Sequence, residues 1–135
     1  MDTLATNPPQ IRYRKLDTAG LSAASFEGES FLRVSSKLLR QLTEEAFADV
    51  SHLLRTSHLA QLRAILDDPD ASDNDRYVAL ELLKNAVISA EREFPSCQDT
   101  GTAIVAGKKG QNVLVEGDVR AAIEQGIART WDKRN

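Results

Sequence analysis

Between residues 35 and 90, apolar side chains return every three to four positions, and a single proline, Pro69, interrupts them. That period matches the 3.6-residue turn of an α-helix and excludes an all-β fold. Leu38, Leu42, Ala46, Val50 and Leu54 form the first stripe, widened by Leu39, Phe47 and Leu53, with Ser35 or Ser36 placed to cap its start. A second, shorter helix is expected over residues 57–67, carrying Leu59, Leu62, Ile65 and Leu66. "DDPDASDND" then breaks the pattern, because proline cannot continue a helix and the acids favour a turn. Ser72 with Asp75 three residues later reads as a capping box opening a third helix, expected to bury Tyr77, Leu80, Leu83, Val87 and Ala90. Phe94-Pro95 closes it, since a residue before proline is pushed out of the helical region.

The flanks read differently. Residues 1–10 are polar with Pro8-Pro9 and suggest a flexible arm. Residues 11–17 alternate like a short edge strand, and residues 25–35 like a hairpin turning at Glu27-Gly28-Glu29. "TAIVA" (102–106) is expected to be a buried strand, "GKKGQ" a turn and "NVLVEG" (112–117) the return strand. A closing amphipathic helix carries Val119, Ile123, Ile127 and Trp131. It has no closing glycine before Asn135, which suggests a chain that continues. The fold class is therefore α+β: a mostly helical N-terminal region, a β-hairpin-like unit and a final helix, with residues 11–135 forming part of one domain. Only 5% of residues are aromatic, so the core must be aliphatic.

A net charge of -3 argues against a nucleic-acid or anionic-membrane partner. A single cysteine excludes an internal disulfide and fits a reducing, cytoplasmic setting. No apolar run approaches the roughly 20 residues of a membrane span, and the N-terminus lacks the apolar stretch of a signal peptide. "GTAIVAGKK" is not a phosphate-binding loop. Five residues rather than four separate its glycines, Lys109 stands in place of the hydroxyl, and no helix is expected to follow. His52 and His58 are six apart, not the three or four of a zinc pair on one helix.

"SCQDTG" (96–101) follows a helix breaker and leads into apolar sequence, a loop position where sites are often placed. Cys97 could be a thiolate nucleophile, a metal ligand or buried filler. Asp99 could orient a substrate hydroxyl or move a proton, or could accept the amides of Thr100 and Gly101 in a turn. The residues alone leave these readings open.

The stretch Cys97-Gln98-Asp99-Thr100-Gly101-Thr102-Ala103, with Pro95 before it and Gly107-Lys108-Lys109-Gly110-Gln111 after it, resembles the class I (iron-sulfur) fumarate hydratases. "FEGESFLRV" (26–34), "LLRTSHLAQL" (53–62) and "DDPDASDNDRYVALELLKNA" (67–86) are similar to that family as well, so the resemblance runs from about residue 26 to the end. It implies a 4Fe–4S cluster held by three cysteines, whose open iron acts as a Lewis acid in the reversible hydration of fumarate to L-malate. It makes Cys97 the first cluster ligand, Gln98 and Asp99 substrate contacts, and Asp99 a catalytic residue. The sequence departs from the family in lacking the second and third cysteines and a substrate-binding arginine. An N-terminal fragment, inactive alone, is the implied reading. Its partners would be a small dicarboxylate, the remainder of the enzyme and a second copy in a homodimer. The related L-tartrate dehydratases share much of the pattern. Two readings outside that chemistry are a non-catalytic interaction domain and a lone-thiol redox protein.

Overall fold

The computed structural model describes residues 14–96 and 102–134, and it has the α+β character expected, with helices predominating over one small sheet. In chain order the elements are β1 (Leu21–Phe26), β2 (Glu29–Val34), α1 (Ser36–His52), α2 (Thr56–Asp67), α3 (Asp73–Ala90), β3 (Val113–Val115) and α4 (Val119–Arg134). They divide into two compact units. One is built on residues 51–96 and the other on residues 16–50 and 102–134.

In the second of these units, β1 and β2 form the hairpin, antiparallel from Leu21↔Val34 to Phe26↔Glu29. Glu27 and Gly28 both have positive φ, 48° and 83°. Positive φ at both central residues gives the turn whose twist matches the strands, and glycine holds the second position without strain. The strand expected over 11–17 is absent at residues 14–17, and residues 11–13 lie outside the described residues. Instead the Asp17 side chain accepts the Ala19 amide and the Thr18 carbonyl accepts the Leu21 amide, so a turn precedes β1.

The region 102–117 also departs from expectation. Residues 102–110 form no strand, and Ile104 is 86% exposed. A turn at residues 110–113, closed by the Val113 amide on the Gly110 carbonyl, delivers β3 to the sheet. β3 lies parallel to β2, with Leu32↔Val113 and Val34↔Val115 in register, so the sheet order is β1-β2-β3. The Leu32 amide on the Asn112 carbonyl and the Glu116 amide on the Val34 carbonyl extend that pairing at both ends. A four- or five-residue apolar run does not encode its own partner, and here β2 is taken by β1 and β3.

α1 starts at a Ser35 cap, whose hydroxyl accepts the Leu38 amide at 3.2 Å. Asp118 does the same for α4, accepting the Ala121 amide. α1 and α4 meet through small residues rather than through the Leu/Val/Ile/Trp stripes. Thr43, Ala48, Ala122 and Thr130 are buried. Leu42, Val50, Val119 and Trp131 are each at least 40% exposed. The Thr130 hydroxyl donates to the Glu44 carbonyl at 3.0 Å, and Lys133 pairs with the Glu44 carboxylate. At Gly126 the helices approach so closely that an added Cβ would lie 2.6 Å from Thr43 Cβ and 2.7 Å from the Arg40 carbonyl oxygen. Large side chains were displaced from this face because they would hold the backbones apart.

In the unit built on residues 51–96, α2 packs on α3 with Leu62 and Ala79 buried between them. The face of α3 turned inward is thus set by Arg76, Ala79, Leu83 and Ala86, of which Ala79 is fully buried. Tyr77 (64% exposed), Leu80 and Val87 lie on the outer face, contrary to the sequence expectation. Only Leu83 of the expected stripe is shared with the packed face.

The capping box is present. The Ser72 hydroxyl accepts the Asp75 amide, and the Asp75 carboxylate accepts the Ser72 amide and hydroxyl. These hydrogen bonds from Ser72 hold the Asp75 carboxyl below the ordinary carboxylate range. Protonation is therefore harder in the folded chain than in the unfolded one. The stability this adds is present above the unfolded pKa and is lost as pH falls through the lower, folded value. Ser72→Ala is expected to cost about 1 kcal/mol. It should also flatten the acid limb of a stability–pH titration; an unchanged acid limb would show that the box does not titrate with folding.

Candidate functional site

α3 ends at Ala90 because Arg92 turns left-handed, with φ 67°, and its amide returns to the Ser89 carbonyl. From there residues 93–96 run back to the end of α1. The last carbonyls of a helix lack intrahelical partners and must find donors elsewhere. Here Ser51 and His52, in the same unit as α2 and α3, find three. The Ser89 hydroxyl donates to the His52 carbonyl at 2.7 Å. The Ser96 amide donates to the Ser51 carbonyl at 2.8 Å, and the Ser96 hydroxyl to the same oxygen at 3.1 Å. Ser89 is fully buried, and His52 and Ser96 are nearly so, at 3% and 8% exposed. This polar knot was not singled out by sequence reasoning. The only signal was two serines in otherwise apolar or charged surroundings, which periodicity treats as neutral.

The knot ends one residue before Cys97. Cys97, Gln98 and Asp99 themselves lie outside the described residues, so the structure neither gathers nor separates them. Beyond them, residues 102–110 run with only Ala103 partly covered, and Lys108 and Lys109 are exposed. This lysine pair leads into a turn and then β3, not into a helix N-terminus, which agrees with the rejection of a phosphate loop. His52 is buried in the knot, and His58 is exposed at the start of α2. Among the described residues no three His, Cys, Asp or Glu side chains gather as metal ligands do.

One concavity of about 530 Å³ lies along α2 and α3, lined by Leu62, Ile65, Val78 and Leu82 with Asp68 and Asp75 at its rim. Two of its three acids are engaged: Asp68 accepts the Asp70 amide, and Asp75 serves the capping box. That arrangement builds a turn, not a ligand site.

The comparison with known proteins decides the family. The model for "Fumarate hydratase (Fumerase)" matches residues 40–135, most of the chain. The chain belongs to the fumarate hydratase family. It is 56% identical over 104 residues to fumarate hydratase 1, mitochondrial, of Leishmania major, covering 77% of this chain and 19% of that protein. It is 45% identical over 123 residues to the anaerobic class I fumarate hydratase of Escherichia coli, covering 91% of this chain and 22% of the relative. With the aerobic class I fumarate hydratase of Salmonella typhimurium it shares 46% over 134 residues, 99% of this chain and 23% of that one. The chain thus spans about a fifth of the length of the fumarate hydratases it matches. The matched region includes the whole knot and the Cys97-Gln98-Asp99 motif that follows it. No helix among the described residues is long and apolar enough to cross a membrane.

Proposed function

We propose that this chain supplies one cluster ligand and two substrate contacts to a class I fumarate hydratase, a hydro-lyase of the tricarboxylic acid cycle that interconverts fumarate and L-malate. One observation carries this: the Cys97–Ala103 motif lies within the span that matches the family, in a chain 45–56% identical to named fumarate hydratases. In that enzyme residues 11–135 are part of the N-terminal domain. The partners are a small dicarboxylate, the remaining polypeptide and a second copy of the enzyme, in the cytoplasm. The relatives' names favour fumarate over tartrate as the substrate.

The donor chemistry fits a 4Fe–4S cluster in part. A thiolate is the right ligand for iron–sulfur, but the chain has one cysteine, and the described residues offer no ligand group of three. Cys97 therefore fits as one ligand of three, with the other two on other sequence. When bound, such a cluster supplies a Lewis-acidic iron with an open position. The chain's own part is simpler. Cys97 would hold its iron as the thiolate. Gln98 presents an amide, donor and acceptor at once, to a substrate carboxylate or hydroxyl. Asp99 presents a carboxyl group that accepts the substrate hydroxyl's proton or orients that hydroxyl.

The test is fumarate consumption by the full-length protein in which this sequence stands, assayed without oxygen after iron and sulfide are supplied. Asp99→Asn is expected to keep its iron content and lose about a hundredfold or more in turnover, as removal of an acid–base group does. Full turnover in that variant would remove Asp99 from the mechanism. A wild-type protein that takes up no iron–sulfur absorbance would end the hydratase reading.

A further inference from the structure

We propose that Ser96 is a positioning residue for the cluster: its hydroxyl and amide, both bonded to the Ser51 carbonyl, hold the chain in place one peptide bond before Cys97. The inference rests on the fumarate hydratase reading of Cys97, and it adds a residue that the motif does not contain.

A ligand is useful to a metal centre to the degree that its backbone is already where the metal needs it. Surface loops usually leave that to solvent. Here the backbone leading to the cysteine is fixed to a helix end distant in sequence, in a nearly buried position. Two donors on one carbonyl constrain both the position and the rotation of residue 96. Ser89, donating to the neighbouring His52 carbonyl, keeps that end of α1 in register with α3. The arrangement also separates positioning from folding. In Ser96→Ala the amide bond to Ser51 survives, so the carbonyl keeps a donor and no buried group is orphaned. What is lost is the second restraint, next to the ligand.

The experiment uses the full-length protein, loaded with iron and sulfide without oxygen, and reads iron release to a chromophoric chelator alongside the thermal midpoint. Ser96→Ala is expected to release iron about three- to tenfold faster than wild type, the worth of one neutral hydrogen bond, with little change in midpoint. Ser96→Thr keeps the hydroxyl and should restore the wild-type rate, which a merely space-filling role would not require. Cys97→Ser is the control. If it loses its iron while Ser96→Ala releases at the wild-type rate, the positioning role is overturned and the hydratase reading stands. If Cys97→Ser holds iron as well as wild type does, the hydratase reading falls and takes this inference with it. A readout that needs no cluster is amide exchange at residue 96 in the 135-residue chain. Protection that drops in Ser96→Ala supports the tether; an amide in wild type that exchanges like an unstructured one overturns it.

Discussion

Cys97→Ser in the full-length protein is expected to abolish fumarate hydration and to leave little iron–sulfur absorbance. The reason is ligand chemistry. A cysteine thiol becomes a thiolate readily, and its soft sulfur suits iron–sulfur centres. A serine hydroxyl stays protonated near neutral pH and offers a hard, weak donor. Changes to residues that merely support a ligand cost about 10- to 100-fold in metal affinity or activity. Removing the ligand itself should exceed that, and the measurement is iron and sulfide content per chain beside turnover. Undiminished turnover at full iron content would show that Cys97 is no ligand. The contrast with Asp99→Asn is informative, because that variant should keep the cluster and lose the chemistry.

Gly126→Ala is expected to unfold or loosen the unit that contains α1 and α4. On an isolated helix the change would help by about 1 kcal/mol, since alanine is the better helix former. In this packing the new methyl carbon would lie 2.7 Å from the Arg40 carbonyl oxygen and 2.6 Å from Thr43 Cβ. Neither atom can step aside, since one is helix backbone and the other is fixed directly to it. Overpacking commonly costs about 1–3 kcal/mol, and a clash with backbone falls at the upper end or beyond. The net loss should lower the thermal midpoint by about 5–15 °C for a unit of this size. Gly107→Ala is the matched control: a Cβ there meets nothing within 4 Å, so the midpoint should hold. A midpoint for Gly126→Ala at or above wild type would refute the close approach of the two helices.

These two positions show what the sequence makes visible and what it hides. The existence of the helices and hairpin was legible, because period, capping residues and turn residues are local. The Ser72–Asp75 box, the Ser35 cap and the Glu27-Gly28 turn all lie where local chemistry puts them. The faces of the helices were less legible. Periodicity weighs bulk, so it chose Val119, Ile123, Ile127 and Trp131, whereas the buried stripe next to it is Ala122, Gly126 and Thr130. Close approach is a property of two backbones, and small residues announce it only once the partner is known. The same holds for Ala79 against Tyr77 and Val87 on α3. Strand pairing was hidden for a related reason: "TAIVA" has strand composition but pairs with no strand among the described residues, while three residues of β3 find β2. At the candidate site, residue chemistry left Cys97 with three fates, and only the family resemblance of the extended motif favours one of them. Ser96 offered no more than a polar residue beside apolar ones, because its hydrogen bonds are to a carbonyl 45 residues away.

The parallel pairing of β3 with β2 bears on how the chain is made. Leu32 waits for Val113, and everything between them, including the whole unit built on residues 51–96, is an insertion within the sheet-bearing unit. During synthesis the hairpin and α1 emerge first with no third strand and no α4 to cover them. The inserted unit, whose contacts are local, can fold at once. By compacting the intervening chain it shortens the loop that the sheet must later close and reduces that entropic cost. The order of birth is thus inside-out: the insert folds while its host is still waiting for its other half.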